Sequence, residues 1–172
     1  MKIISIGASS AGQSINQRLA DTTASLVEGA EVTRVLVSDY EMPLYSVDRE
    51  EADGLPQLAK DFVQVLGSGD AIVLSLAEHN GSYTAAFKNV LDWASRVEKS
   101  LFAERPMLLL ATSPGARGAQ TVLESAKAYF PHLGANIVGS LSVPWFYDHF
   151  SDDGPDDETR EQLTELSKKL KL

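Results

Sequence analysis

Three short segments rich in small polar residues and glycine could bind a ligand in this chain. They span residues 7–16, 75–82 and 112–118, and each follows an apolar run. Each stands where a strand is expected to end and a helix to begin, so each leaves backbone N–H groups free for a ligand. Because the carboxyl ends of parallel strands meet along one edge of a sheet, we expect the three segments to line a single crevice.

The first segment has the composition of an anion site. The side chains of Ser9, Ser14 and Asn16 would lie beside the N–H groups of a helix start, which attract negative charge. The spacing also resembles a Walker A motif, but Gln13 stands in place of its lysine, so a singly phosphorylated ligand fits better than a nucleoside triphosphate. The structural alternative is that Ser14 serves only as a helix N-cap.

The second segment suits the edge of a planar heterocycle. It offers backbone amides, one amide side chain and a glycine that permits close approach, on Glu78, His79, Asn80 and Gly81. His79 could stack on such a ring or hydrogen-bond to it, and could equally be an ordinary polar turn residue.

The third segment could cover the far edge of the ring. Arg117 would place positive charge near a reduced, anionic cofactor, or would be a solvated residue of a helix-start turn.

Ser113 also permits a hydrolase hypothesis, because it stands at a strand-to-helix turn with Asp148 and His149 later in the chain. Against that hypothesis, a glycine is missing before the serine, and Pro114 lacks the N–H that an oxyanion hole needs.

Alternating β-branched runs and longer helical patterns predict the elements that position these segments. Strands are expected at 2–6, 31–37, 71–76, 106–111 and 136–141, and helices at 14–27, 55–66, 84–97, 119–130 and 156–170, with 38–54 irregular. The run 71–76 is apolar throughout, as is typical of a central parallel strand. The pattern predicts an α/β fold of three layers, a doubly wound flavodoxin-like five-stranded parallel sheet with helices on both faces.

Composition narrows the class of partner. With 172 residues, 44% of them hydrophobic, the chain is expected to form one domain over residues 1–172. A formal net charge of −9 without a basic cluster argues against nucleic acid or an anionic membrane, and favours a small molecule or a protein. No apolar run approaches a membrane span and no signal peptide is visible. The absence of cysteine excludes thiolate chemistry and favours a cytoplasmic location.

The acidic run 152–158 invites a calcium hypothesis. Its spacing lacks the alternating ligands of an EF-hand and the terminal glutamate at the twelfth position. Acidic residues ahead of a helix favour its dipole, so we expect a helix start and predict no metal site.

Two residue patterns in these segments resemble those of the NAD(P)H-dependent FMN reductases, a flavodoxin-like family. The family's first-loop pattern, roughly G-S-x-R-x-x-S-x-N, lies over Ala8–Asn16. Its more specific pattern, S-x-P-E-Y-N-G-S followed by L-K-N-x-x-D-W-x-S-R, lies over 75–82 and 87–96. The resemblance covers nearly the whole chain. Three positions depart from these patterns, with Ala11 in place of Arg, Ala77 in place of Pro and His79 in place of Tyr.

The resemblance implies a cofactor site for FMN. The phosphate would be bound by the first loop, through Ser9, Ser14, Ile15 and Asn16. The isoalloxazine would lie against Glu78, His79, Asn80 and Gly81, and the third flavin-facing loop would contribute Ser113, Gly115 and Gly118. Replacing the family's arginine by Ala11 removes a cationic partner of the phosphate.

The activity implied by the resemblance is hydride transfer from NADPH or NADH to the flavin. The reduced flavin would pass electrons to a small-molecule acceptor such as free flavin, a quinone or an azo compound. Because the cofactor supplies this chemistry, no catalytic side chain is predicted. The alternatives are a non-catalytic flavodoxin-like electron carrier and a flavin-free binding module.

The resemblance also implies a homodimer or homotetramer. In the family the helix at 87–96 commonly lies at a subunit interface, so Trp93 and Arg96 could be interface anchors. Its apolar residues also have the spacing of an ordinary core helix. An aromatic cluster at 145–150 would either close over a neighbouring subunit's flavin or cap the core.

Overall fold

The computed structural model describes residues 1–170, and its regular elements follow the predicted alternation. In chain order the strands are β1 (Lys2–Ala8), β2 (Glu31–Leu36), β3 (Ala71–Leu76), β4 (Glu78–His79), β5 (Ser82–Tyr83), β6 (Pro106–Thr112), β7 (Asn136–Val143), β8 (Phe150–Ser151) and β9 (Gly154–Pro155). The α-helices are α1 (Ile15–Ser25), α2 (Val47–Asp53), α3 (Gln57–Gly67), α4 (Ala85–Val97), α5 (Gln120–Tyr129), α6 (Phe146–His149) and α7 (Asp157–Ser167). Short 3-10 helices occupy 37–40, 130–133 and 168–170.

Five parallel strands form the central sheet in the order β2-β1-β3-β6-β7. Strand β3 lies in the middle, with Leu74 paired to Ile6 on one side and to Leu109 on the other. Every residue of β3 is buried, as its mainly apolar sequence predicts, and its one polar residue, Ser75, is satisfied by the Asn16 side chain. This strand order is that of a doubly wound flavodoxin-like sheet, which confirms the predicted fold class.

Each face of the sheet is covered by its own hydrophobic core. On one face, residues of β3 such as Leu74 pack with Phe62 of α3 and Trp93 of α4. On the other, Val73 packs with Leu19 of α1 and Leu163 of α7. Alternate residues of one strand therefore enter opposite cores, which explains why that strand has no polar face.

Two elements lie where no regular structure was expected, one in the stretch 38–54 and one in the second polar segment. Helix α2 occupies part of 38–54 and begins at Ser46, whose hydroxyl accepts a hydrogen bond from the Arg49 N–H. The second ligand-binding segment is a hairpin of β4 and β5. Its two turn residues, Asn80 and Gly81, have φ of 53° and 75°, and positive φ at both positions is what a type I′ turn requires.

Helix α4 fixes the chain that follows β2 through the amide of Asn89. Its Oδ1 accepts from the Tyr45 N–H at 2.8 Å, and its Nδ2 donates to the carbonyls of Met42 at 3.0 Å and Pro43 at 3.2 Å. One side chain thus satisfies three backbone groups that lie more than forty residues earlier in the chain.

The same face of α4 carries Trp93 and Arg96. The Trp93 indole is buried, donates to the Pro43 carbonyl at 2.7 Å, and meets the Tyr45 ring edge-on with centroids 5.0 Å apart. Arg96 pairs with Glu50 of α2 at 3.0 Å. Both residues bind their own chain, as the core interpretation of this helix requires.

The acidic run before α7 forms a tight turn and a helix start. Asp156 is the N-cap and accepts from the Thr159 N–H at 2.8 Å, and Asp157 and Glu158 occupy the first turn. This arrangement is the one expected for carboxylates beside a helix dipole. Among residues 1–170, no helix combines the length and the apolar character needed to span a bilayer.

Candidate functional site

The three polar segments converge at the carboxyl edge of the sheet. A cavity of about 220 Å³, here called the first-loop cavity, is lined by Ser9, Ala11, Gln13, Ser14, Ile15, Asn16, Ala77, Glu78, His79, Thr112, Ser113, Pro114 and Tyr147. A larger cavity of about 740 Å³, the third-loop cavity, is lined by Glu78, Asn80, Gly81, Ser113, Gly115, Ala116, Arg117, Ala119 and Thr121. The two cavities share Glu78 and Ser113 in their linings, so residues of all three segments border adjoining spaces at this edge of the sheet.

The first loop ends at the start of α1, where backbone donors face the first-loop cavity. Ser14 is the N-cap in an extended conformation, and its Oγ accepts from the Gln17 N–H at 3.3 Å. The N–H groups of Ile15 and Asn16 belong to the first turn and have no acceptor within the helix. These groups and the positive end of the helix dipole make this corner suited to an anion.

Close packing of β1 on α1 sets the position of that helix start. A Cβ at Gly7 would lie 2.4 Å from the backbone nitrogen of Gln17, so only glycine permits the contact. The Gln17 side chain then returns to the strand, where its Oε1 accepts from the Gly7 N–H at 2.7 Å.

The Asn16 side chain serves the interior rather than the cavity. Its Oδ1 accepts from the Ser75 hydroxyl at 2.7 Å and from the Thr112 N–H at 3.2 Å, while its Nδ2 donates to the Thr112 carbonyl at 3.2 Å. The residue is 3% exposed. It therefore joins the ends of β3 and β6 to α1, and one of the two Nδ2 hydrogens is used in doing so.

Glu78 ties the second segment to the third. Its Oε2 accepts from the Val122 N–H at 2.9 Å, in the first turn of α5. The N-cap of that helix is Ala119, which offers no side-chain acceptor, so Glu78 caps the helix from a distance. The residues at the hairpin tip, His79, Asn80 and Gly81, are exposed.

The third segment contributes Ser113 and Gly115 to the crevice, but Gly118 lies behind it. Gly118 is buried, and a Cβ there would lie 2.3 Å from Ser142 Oγ and 2.8 Å from the nitrogen of Pro144. Its glycine is thus required by packing against the end of β7. Arg117 is exposed and lines the third-loop cavity.

A fourth segment, predicted to close over a neighbouring subunit's flavin or to cap the core, joins this chain's own crevice after β7. The Trp145 N–H donates to the Gly115 carbonyl and the Phe146 N–H to the Ser113 carbonyl, both at 3.1 Å. Phe146 is fully buried, which confirms a core-capping role for part of the aromatic cluster. Tyr147 is exposed and lines the first-loop cavity. The available signal was the aromatic run that follows the last predicted strand.

A separate cavity of about 380 Å³ lies between the first loop, the chain after β2 and the start of α4. Tyr40 lines it, and burial raises the pKa of this hydroxyl, as do the nearby Asp39 and Asp61 carboxylates. Asn89 lines the same cavity while holding the adjoining backbone.

The residues of the hydrolase hypothesis do not assemble. His149 Nδ1 lies 2.8 Å from Asp156 Oδ2, and within residues 1–170 no hydrogen bond joins His149 to Ser113 or to Asp148. Hydrogen bonds from His149 and from Thr159 lower the pKa of Asp156 to about 2. His149 thus holds the start of α7 together instead of activating a serine.

The sequence profile of NADPH-dependent FMN reductases matches residues 1–149. This chain belongs to the NADPH-dependent FMN reductase family. The predicted resemblance is therefore confirmed, and with it FMN as the cofactor and NAD(P)H as the electron donor. Flavin-dependent oxidoreduction is the activity of this class of enzyme.

Individual relatives of this FMN reductase support the same assignment. A 2-hydroxy-1,4-benzoquinone reductase of a Burkholderia species is 33% identical over 133 residues, which are 75% of this chain and 71% of that protein. A quinone reductase of Escherichia coli K12 is 28% identical over 105 residues, 61% of this chain and 56% of that protein. The solved structure of FerB, a flavoenzyme NAD(P)H:(acceptor) oxidoreductase of Paracoccus denitrificans, shares the fold with a TM-score of 0.81 and 24% identity. The match covers 98% of this chain and 94% of that one.

The donor set of the crevice fits FMN. Neutral N–H and hydroxyl donors gather at the helix start, as a phosphate group needs, and the backbone of the hairpin tip faces the adjoining larger cavity. The two cavities adjoin at Glu78 and Ser113, which would leave the phosphate of the cofactor on one side of these residues and its ring on the other.

Proposed function

We propose that this FMN reductase passes electrons from NAD(P)H to a quinone, with FMN held in the crevice at the carboxyl edge of the sheet. The observation that carries the proposal is the meeting of three loops around the free N–H groups of α1. When bound, FMN accepts a hydride from the nicotinamide and delivers two electrons to the acceptor. The name of the Burkholderia relative supports a benzoquinone-type acceptor.

The phosphate is proposed to bind at the start of α1. The backbone N–H groups of Ile15 and Asn16 and the hydroxyls of Ser9 and Ser14 are its partners there. Asn16 contributes through its backbone, because its amide holds the neighbouring strand ends at fixed positions. This division of roles keeps the binding loop rigid before any ligand arrives.

The ring is proposed to lie toward the hairpin and the third segment. The Asn80–Gly81 turn offers backbone groups to the pyrimidine edge, beside Glu78 and His79. Ser113 and Gly115 border the same space, and Arg117 adds positive charge that favours a reduced, anionic flavin. Gly118 acts indirectly, since its close packing on Ser142 sets the path of the third segment.

The third-loop cavity supports a reductase over an electron carrier. A hydride donor and a two-electron acceptor must each approach the ring in turn, and a volume of about 740 Å³ is within the range of small-molecule sites. An electron carrier needs only an exposed ring edge for a protein partner. Membership of a family of FMN reductases also supports a reductase.

We also propose the domain organisation, the oligomeric state and the location of this chain. A single domain over 1–172 agrees with one continuous sheet. A homodimer or homotetramer is favoured by exposed apolar side chains on Leu44 and Val47, which a partner subunit would cover. A cytoplasmic location rests on the lack of cysteine.

Anaerobic spectroscopy tests the proposed function. The protein is loaded with FMN, freed of excess cofactor, and mixed with NADH or NADPH in separate experiments, followed by 2-hydroxy-1,4-benzoquinone. We expect the flavin absorbance to bleach with at least one donor and to return on addition of the quinone. Bands that bleach with neither donor would indicate an electron carrier, and a protein that retains no FMN would contradict the proposal.

A further inference from the structure

The first-loop cavity contains a tyrosine from a distant part of the chain. Tyr147 lies in α6, after the last strand of the sheet, and lines this cavity together with Ser9 and Ser14. Its side chain is 66% exposed. A large aromatic residue left open to solvent beside an anion site is free to contact what enters that site.

The neighbours of Tyr147 hold its backbone firmly. Phe146 is 0% exposed and stacks on Phe150 with ring centroids 4.5 Å apart. The Arg18 guanidinium lies 5.5 Å from the centre of the Phe146 ring, and the Phe146 N–H is bonded to Ser113 of the third segment. Tyr147 is therefore an exposed side chain on an anchored turn, which limits the entropy lost when it binds a ligand.

The cavity has no lysine or arginine among its lining residues in the described chain. Ala11 occupies the loop position at which a cation could meet a phosphate, and it is exposed. Arg18, one turn into α1, donates to the Ser151 carbonyl at 2.6 Å and packs on Phe146, so it is engaged away from the cavity. A phosphate here must rely on neutral hydrogen-bond donors.

We propose that the Tyr147 hydroxyl is one of these donors, and that it binds the FMN phosphate where this loop lacks a cation. The inference rests on the proposed function, because it requires FMN in this crevice. A phenol O–H can donate to a phosphate oxygen, as the hydroxyls of Ser9 and Ser14 can. The segment after β7 thereby completes a site that the first loop begins.

A phosphate site built only from neutral donors responds to salt differently from a site that contains a cation. The chain carries a formal net charge of −9, so its overall field opposes the approach of a phosphate. Added salt screens this repulsion, and the described lining of the first-loop cavity has no lysine or arginine whose attraction for the phosphate would be weakened. FMN affinity should therefore stay constant or rise between 50 and 500 mM salt, whereas a site built around a cation would lose affinity.

The direct test compares FMN with riboflavin, which has the same ring but lacks the phosphate. Flavin fluorescence titrations of the apoprotein give both affinities for wild type and for Tyr147→Phe. We expect the variant to bind FMN about tenfold more weakly, the usual size for loss of a hydrogen bond to a charged group, with riboflavin affinity unchanged. Tyr129→Phe is the matched control, because Tyr129 is also exposed but lies at the far end of α5.

Other outcomes separate the two proposals. Equal FMN affinity in wild type and Tyr147→Phe would overturn the role of the hydroxyl while leaving the proposed function intact. An equal loss of affinity for FMN and for riboflavin in Tyr147→Leu, with Tyr147→Phe unaffected, would show that the ring stacks on the ligand. That result would also overturn the role of the hydroxyl. Wild type that binds neither flavin would overturn both proposals. Unchanged thermal unfolding of the variants confirms that folding is preserved.

Restoring a cation provides a second, independent check. Ala11→Arg should raise FMN affinity at least tenfold and make that affinity fall with salt. In this background, Tyr147→Phe should cost less than it does in wild type, because two donors to one phosphate are not additive. Equal costs of Tyr147→Phe in the two backgrounds would show that Tyr147 does not share the phosphate with position 11.

Discussion

The first loop, residues 8–16, and helix α4 both carry residue patterns of the family, yet their polar groups have different partners. The first loop presents backbone N–H groups and hydroxyls to a cavity. On α4, Asn89, Trp93 and Arg96 turn to the chain's own 42–50 segment. A pattern that identifies a family therefore does not by itself separate residues that bind a ligand from residues that hold the chain.

The two asparagines of these patterns make the point most clearly. Asn16 bonds to Ser75 and Thr112, and Asn89 bonds to the backbone of 42–45. Both amides are used to join segments distant in sequence. Within the first loop, we therefore assign ligand binding mainly to serine hydroxyls and to the backbone.

The largest expected effect is on stability, at Trp93. Trp93→Ala removes a buried indole and its bond to the Pro43 carbonyl, so unfolding free energy should fall by about 3–5 kcal/mol. Urea titration measures this change in the free energy of unfolding. Trp145→Ala, at a tryptophan that is 48% exposed, is the control and should cost less than about 1 kcal/mol. Similar losses at both positions would contradict the packing role of Trp93.

Ser14→Ala should act mainly on the ligand. We expect FMN binding to weaken by about 1–3 kcal/mol, because a donor to a charged group is lost. Stability should fall by only about 1 kcal/mol, for loss of the N-cap. Fluorescence titration and urea unfolding give the two values. The exposed neighbour Ser10 supplies the control Ser10→Ala, and unchanged FMN affinity in Ser14→Ala would refute the phosphate assignment of that hydroxyl.

Asn89→Ala should loosen the chain that α4 holds. Three backbone groups lose their partner. The free energy of unfolding should fall by only about 1–2 kcal/mol, because water can replace the amide for the exposed groups. Limited proteolysis should then cut within 42–53 faster than in wild type. Asn136→Ala, at an exposed residue, is the control. Cleavage at the wild-type rate would show that the amide is dispensable there.

The smallest effect concerns acid stability away from both patterns. The native pKa of Asp156 is about 2, below the ordinary value of about 3.9, so its carboxylate stabilises the fold above pH 4 and ceases to do so as the pH falls toward 2. The side chain is 42% exposed, which limits the gain to under about 1 kcal/mol. The stability difference between wild type and Asp156→Asn should shrink from pH 5 to pH 2.5, and a constant difference would contradict this.

Local sequence signals were sufficient for most of the fold. Apolar runs located the five main strands, and the loops between them gave the crevice. The β4–β5 hairpin was missed although Asn80–Gly81 is a strong turn signal, and α2 was missed although Ser46 is a good N-cap followed by acidic residues. In both cases the signal was present, in a stretch interpreted as irregular for α2 and as a ligand-binding loop for the hairpin.

Long-range contacts account for what the sequence could not predict. The partners of the Asn16 amide, Ser75 and Thr112, lie 59 and 96 residues away. The place of Tyr147 depends on backbone bonds from the chain after β7 to Ser113 and Gly115. The need for glycine at position 118 likewise depends on its close packing against Ser142, which is distant in sequence. Each role follows from packing across strand ends, which no local pattern records.

One titration tests the central claim, that the first loop binds FMN while α4 supports the fold. FMN affinity is measured by fluorescence for wild type, Ser14→Ala and Trp93→Phe, the last retaining an aromatic core residue. We expect Ser14→Ala to bind FMN at least fivefold more weakly and Trp93→Phe to bind it as wild type does. The reverse, full affinity in Ser14→Ala and lost affinity in Trp93→Phe, would contradict it.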